Sequence, residues 1–125
     1  MAVVDFAIEQ PPAGHGIPTG TRRVTWTLAG GDTGKPYPCP HYPDKNVSVS
    51  GTFDSATVTI QGSDEIIAVP TLYYTLHDQS DNDITFTTAR GEQIVNNPYQ
   101  IRPSVSAGTS TAVVVRLTVT TTARR

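Results

Sequence analysis

Val24, Trp26 and Leu28 alternate with Thr25 and Thr27, so a strand through them carries one apolar face and one hydroxyl face. The same period of two returns in Val47 and Val49, in Ala56, Val58 and Ile60, and in Leu72, Tyr74 and Leu76. Near the C-terminus Val113, Val115, Leu117 and Val119 form a core face. Ala112, Val114, Arg116 and Thr118 lie opposite, and that second face is half apolar, as a surface used for subunit contact would be. Composition points the same way, with nineteen Thr and thirteen Val against four Leu, three Glu and two Lys. β-Branched side chains lose χ1 freedom in a helix and sit comfortably on a pleated surface.

Ile84 to Thr88, Tyr99 to Ser106 and Thr111 to Thr121 continue the series. Turn chemistry separates the runs at Ser50-Gly51, Gly62-Ser63, Asp81-Asn82-Asp83 and Ala107-Gly108. Seven strands, or eight with Val3 to Ile8, predict an all-β fold, an antiparallel β-sandwich or jelly roll with long Pro/Gly-rich loops. Residues 1–21 read as an N-terminal arm or edge strand and 22–125 as a single β-sandwich domain. Trp26, central on its apolar face, is expected between the sheets. Gln10 to Gly20 and Gly30 to Pro43 are too rich in Pro and Gly for ladder hydrogen bonds and are expected as loops or an extended arm. Together with the N-terminal residues, they are the segments expected to reach neighbouring subunits.

The 125 residues fit one domain with its own core. A formal net charge of -2 leaves no broad basic surface for nucleic acid. No run approaches the roughly 18 apolar residues of a membrane helix, and MAVVDFAIEQ carries an acid where a secretory signal would be apolar. A soluble protein without a cleaved signal is expected. The single Cys39 excludes an internal disulfide framework and favours assembly in a reducing cytoplasm.

Chemistry-bearing motifs are weak. Cys39 and His41 lack a second pair at zinc-ligand spacing, so a pinned loop is the better reading. Asp78, Asp81 and Asp83 lack the glycine turn and terminal glutamate of a calcium loop and read as a solvated hairpin turn. His77 with Asp78 and a serine would make a hydrolase triad by composition alone, and no GxSxG, P-loop or GxGxxG supports it. No catalytic residue, cofactor site or metal site is therefore assigned. The candidates for partner contact are Arg22, Arg23, Tyr37, Tyr42, Arg102, Val114 and Arg116. Tyr37 and Tyr42 stand among Pro36, Pro38, Pro40 and Pro43 in a semi-rigid segment. Arg102 precedes Pro103, which marks an edge or a bulge because it cannot donate to the ladder. Arg22-Arg23 and Arg124-Arg125 are the adjacent basic pairs.

Longer strings carry a resemblance. WTLAGGDTGKP (Trp26 to Pro36), VSVSGTFDSATVTIQGSDE (Val47 to Glu65) and the stretch from Leu72 to Val119 containing EQIVNNPYQIRPSVSAG resemble small virion proteins of tailed bacteriophages. The likeness spans most of the chain through turn and strand signatures. It departs at Ser63-Asp64-Glu65, where those proteins often have an asparagine-aspartate-glycine turn. An apolar run, IIAVP (Ile66 to Pro70), follows there as a short extra strand or a contact surface.

The resemblance implies a capsid cement or decoration protein on the outside of the head, assembled in the host cytoplasm. Its partners would be the major capsid protein and itself as a homo-oligomer, a dimer at a twofold site ahead of a trimer. Neither nucleic acid nor membrane would be a direct partner. A head-to-tail completion or tail protein is the alternative within that class. A carbohydrate- or receptor-binding sandwich using Tyr37, Tyr42, Tyr73 and Tyr74 is the alternative outside it.

Overall fold

The computed structural model of the chain describes residues 2–9, 21–40 and 42–120. In chain order the strands are β1 (Val3–Val4), β2 (Ala7–Glu9), β3 (Thr21–Ala29), β4 (Thr33–Gly34), β5 (Tyr37–Pro38) and β6 (Asp44–Thr52). There follow β7 (Val58–Ser63), β8 (Tyr74–Thr75), β9 (Thr85–Phe86), β10 (Arg90–Ile94), β11 (Gln100–Val105) and β12 (Ala112–Thr120). No helix occurs among the described residues. One sheet has the order β10-β6-β12-β3-β2. The other runs β1-β4-β11-β7-β8, with β5 also on β11 and β9 also on β7.

The pairing is nested. β3 pairs β12, β4 and β5 pair β11, β6 pairs β10, and β7 pairs β8 and β9, all antiparallel. This is a long hairpin rolled onto itself, and the contacts β12–β6 and β11–β7 close it into two sheets. The fold is therefore the expected antiparallel sandwich, wired as a jelly roll. Val24, Trp26 and Leu28 lie beside the odd-numbered apolar residues of β12 and Val47 and Val49 of β6 on the inner face of the five-stranded sheet, and Val58, Ile60, Ile101 and Phe86 of the other sheet, with Ala56, complete the core. Trp26 is buried as expected, and its indole Nε1 donates to the Lys35 carbonyl at 3.0 Å, tying the two sheets together.

Three local expectations are corrected. Gly30 to Pro43 is not simply loop. Asp32 accepts from the Ala29 amide at 2.9 Å to close a turn, and β4 and β5 then pair with β11 despite the prolines. Tyr37 and Cys39 are buried in the core.

Pro103 does not mark an edge, since β11 is central with β7 on one side and β4 and β5 on the other; it stands instead at a bulge, where the register steps by one residue between Ser104↔Thr33 and Ile101↔Tyr37. The Val105 amide donates to the Asp32 carbonyl, so the position two residues earlier faces the same side, in the gap between the Thr33 and Tyr37 pairings. The missing donor of proline falls where no strand asks for one. Gly34 lies opposite, and a Cβ there would meet Trp26 and Pro103 at 2.6 Å.

The Leu72–Leu76 run is not one alternating strand, since only Tyr74–Thr75 pairs and Leu72 is exposed. Conversely β10, whose sequence RGEQI shows little alternation, is a full partner of β6.

The N-terminal residues are stitched into the sandwich. β1 runs parallel to β4, β2 antiparallel to β3, and Phe6 sets its ring edge-to-face on Trp26 and Tyr37 at 5.9 and 5.3 Å. Gln10 to Gly20, His41 and Arg124-Arg125, named above as candidate contact or ligand positions, lie outside the described residues.

Candidate interaction surface

The connection from β7 to β8 begins where the Ser63 hydroxyl accepts from the Glu65 amide at 3.2 Å. The Glu65 carboxylate then accepts from the backbone amides of Thr71 and Leu72, the latter at 2.9 Å, closing a ring of chain over 65–72. From the other side the buried Gln100 on β11 donates its amide to the carbonyls of Glu65 and Ile67 at 3.1 and 2.7 Å. Tyr74 donates its hydroxyl to Asp64 at 3.1 Å, and Pro70 is buried beneath the loop.

With its polar groups satisfied from inside, the loop points its aliphatic side chains outward. Ile66, Ile67, Val69 and Leu72 are 73, 51, 78 and 72% exposed. A groove of about 440 Å³ separates Ile66, Ile67 and Ala68 from Phe6, Pro36 and Pro38. Burying such side chains against a partner is worth roughly 1.5 to 3 kcal/mol each. The surface offers apolar burial rather than proton transfer.

Electrostatics support that rigidity. The amides of Leu72 and Thr71 hold the Glu65 carboxyl below its ordinary value of 4.5, so the loop is clasped by a carboxylate at neutral pH. Lys45 is buried and donates Nζ to the Tyr42 carbonyl at 2.9 Å and to the side chain of Asn97, three residues before the Gln100 that braces the loop. Burial pushes the Lys45 ammonium down and the neighbouring Cys39 thiol up to about 11. Cys39 is therefore a core thiol. Among the described residues no three His, Cys, Asp or Glu side chains converge as a metal site. In the acidic hairpin, Asp78 accepts from the amides of Ser80 and Asn82, and His77 Nε2 lies 3.0 Å from Asp83.

The sequence-derived contact candidates fall in separate places. Tyr37, buried, lies beside Tyr42 and Arg22, and burial is the main cause that raises its phenol. Its ring belongs to the core rather than to the surface. Arg23 pairs with Glu9 on β2. Arg102 stacks its guanidinium 3.6 Å from the centre of the Tyr73 ring and donates Nε to Gln61 at 2.8 Å. Val114 and Arg116 share the outer face of the five-stranded sheet, where Arg116 donates to Ser50 at 3.1 Å. The IIAVP run signalled the aliphatic loop in the sequence. Gln100 carries no signal because it acts on the loop from 35 residues away, and Glu65 carries none because the amides it clasps lie six and seven residues on, beyond the spacing of short turn motifs.

No family model and no curated protein matches the sequence. Among solved structures, the fold is similar to the SPBc2 prophage-derived protein YomS, with a TM-score of 0.55 at 17% identity over 82% of this chain and 96% of that one. At that identity the likeness speaks to the fold. L-ribose isomerase of Acinetobacter sp. DL28, solved with L-ribose, aligns at a TM-score of 0.41 and 11% identity over 97% of this chain and 61% of that one. That overlap carries no argument.

Proposed function

We propose that the chain is a decoration, or cement, protein of a tailed-phage head, seated on the outer shell where it ties major capsid subunits together. The observation that carries this reading is the aliphatic loop over 66–72, held rigid by Glu65 and Gln100 while four large side chains face solvent. A stiff domain with a preorganised apolar contact loses little entropy on docking. Repeated over a shell, a modest interface of that kind stabilises the whole particle without any chemistry. The fold likeness to a prophage-derived protein that this chain spans almost completely supports a phage setting. The resemblance of the WTLAGGDTGKP and EQIVNNPYQIRPSVSAG strings to small virion proteins supports it independently. Association of the chain with itself, a dimer first, belongs to the same proposal.

Quantitative mass spectrometry of purified particles is the test. A copy number on the order of hundreds supports decoration, whereas about six or twelve moves the protein to the neck or tail. Its absence from particles removes the reading. In a decoration protein, Ile66→Asp with Val69→Asp should leave the fold intact and cut occupancy on the shell, because both side chains are solvent-facing in the free chain.

A further inference from the structure

The outer face of the β10-β6-β12-β3-β2 sheet carries mainly small hydroxyl, amide and aliphatic side chains, and Arg116 is the described cation on it that pairs with no carboxylate. The other described arginines are engaged: Arg23 with Glu9, Arg90 with Glu92, Arg102 with Tyr73 and Gln61, and Arg22 with Tyr37. Arg116 makes one hydrogen bond, to the Ser50 hydroxyl, and no carboxylate among the described residues pairs with it. A guanidinium has five donors in a planar fork suited to a carboxylate. Arg116 is half-buried and lines a groove of about 300 Å³ with Asn46, Ser48, Gln93 and Thr118, and with Glu92, whose carboxylate pairs with Arg90.

The floor of that groove is Gly91, and the fold does not demand glycine there. Its φ is not in the left-handed region, and a Cβ would sit 3.4 Å from the Val47 carbonyl and 3.6 Å from Ser48, ordinary contact distances. Within a strand, glycine costs stability relative to a residue with a side chain. What glycine does at this position is keep the groove open.

We propose that this groove binds an extended acidic segment of a partner protein, with a glutamate or aspartate side chain on Arg116 and its peptide groups on Asn46, Gln93, Ser48 and Thr118. Charge complementarity selects the acid, since Arg23 and Glu9 on this face, and Arg90 and Glu92 beside the groove, neutralise each other while Arg116 has four donors left to satisfy. The groove is larger than an inorganic anion needs, and its amides and hydroxyls match a peptide backbone. It has no aromatic ring on which a sugar would stack. The net charge of -2 supplies no long-range attraction, so recognition is local and salt-sensitive. The inference needs no capsid and stands or falls separately from the decoration reading.

The test is a titration of the isotope-labelled full chain with an acetylated, amidated tetraglutamate peptide, followed by amide NMR shifts. Tetraglutamine and sodium sulfate serve as parallel arms. Saturable shifts confined to Ser48, Gly91, Gln93, Arg116 and Thr118, absent with tetraglutamine, are expected. Arg116→Gln should weaken binding by about tenfold or more. Gly91→Val should abolish it by filling the floor while leaving the melting temperature unchanged or higher, an outcome a merely structural role would not produce. Equal response to sulfate would reduce the groove to an anion site and overturn the peptide assignment. Shifts centred elsewhere, no shifts at all, or wild-type binding by both variants would overturn it as well.

Discussion

In the five-stranded sheet, β3, β6 and β12 pair over nine residues without a gap. The facing sheet is assembled from pieces, since β4, β5, β8 and β9 contribute two residues each around the six-residue β7 and β11. Backbone ladders hold the first sheet, so its outer side chains are free of structural duty and Arg116 and Gly91 can serve recognition. The second sheet borrows side chains to finish its hydrogen bonding: Asp32 closes a turn, Trp26 caps the Lys35 carbonyl, and Glu65 and Gln100 clasp the 65–72 loop. The outer polar side chains of the first sheet are thus spared the structural work that polar side chains do around the second.

The largest effect should come from the residue that joins the two sheets. Trp26→Ala removes the central ring of the core and leaves the Lys35 carbonyl without its donor, a loss of about 3 to 5 kcal/mol in urea unfolding. Native indole emission at the wavelength of exposed tryptophan would contradict the burial. Next comes a pair of glycines that sets the sheets against each other. Gly34→Ala forces a Cβ to 2.6 Å from Trp26 and Pro103 and should cost about 1 to 3 kcal/mol, whereas Gly91→Ala should be close to neutral. Equal costs would erase the contrast.

Gln100→Leu strips the donors from the carbonyls of Glu65 and Ile67, for a loss of about 1 kcal/mol concentrated in the loop. Hydrogen exchange should quicken over 66–72 while β3 and β12 stay protected.

Acid should act on the same loop. The folded Glu65 pKa lies below its unfolded value, so its contribution is fully present above 4.5 and is lost as pH falls through the folded value. Loop amides should therefore lose protection below pH 4.5, and Glu65→Gln should remove that pH dependence. Smallest of all, Glu9→Gln breaks an exposed pair with Arg23 on the ladder-held sheet and should cost no more than about 0.5 kcal/mol.

How much of this was legible in the sequence follows the same division. Alternation at Val24 to Leu28 and Val113 to Val119 announced strand, face and core, because a period of two is set by consecutive residues alone. The Leu72–Leu76 alternation misled, since only Tyr74–Thr75 found a partner strand while Leu72 stayed in solvent. Pro103 signals the bulge opposite it but not an edge, for a related reason. Its missing donor excludes a pairing only where a neighbour stands opposite, and the β4–β5 gap that accommodates it is formed by chain some 70 residues away. β10 leaves no such mark, because an edge strand with one buried residue, Ile94, shows little alternation.

The all-β class, the inward face of the long strands and the aliphatic character of residues 66–72 are readable without coordinates. Those properties are written in adjacent residues, where side-chain branching and the pleat act locally. Long-range strand pairing makes Tyr37 and Cys39 core, brings Gln100 to the loop that Glu65 clasps, and sets Arg116 at a groove floored by Gly91. Each of those depends on which distant strand closes beside which, and a nested jelly-roll pairing brings together residues whose separation along the chain carries no trace of the contact.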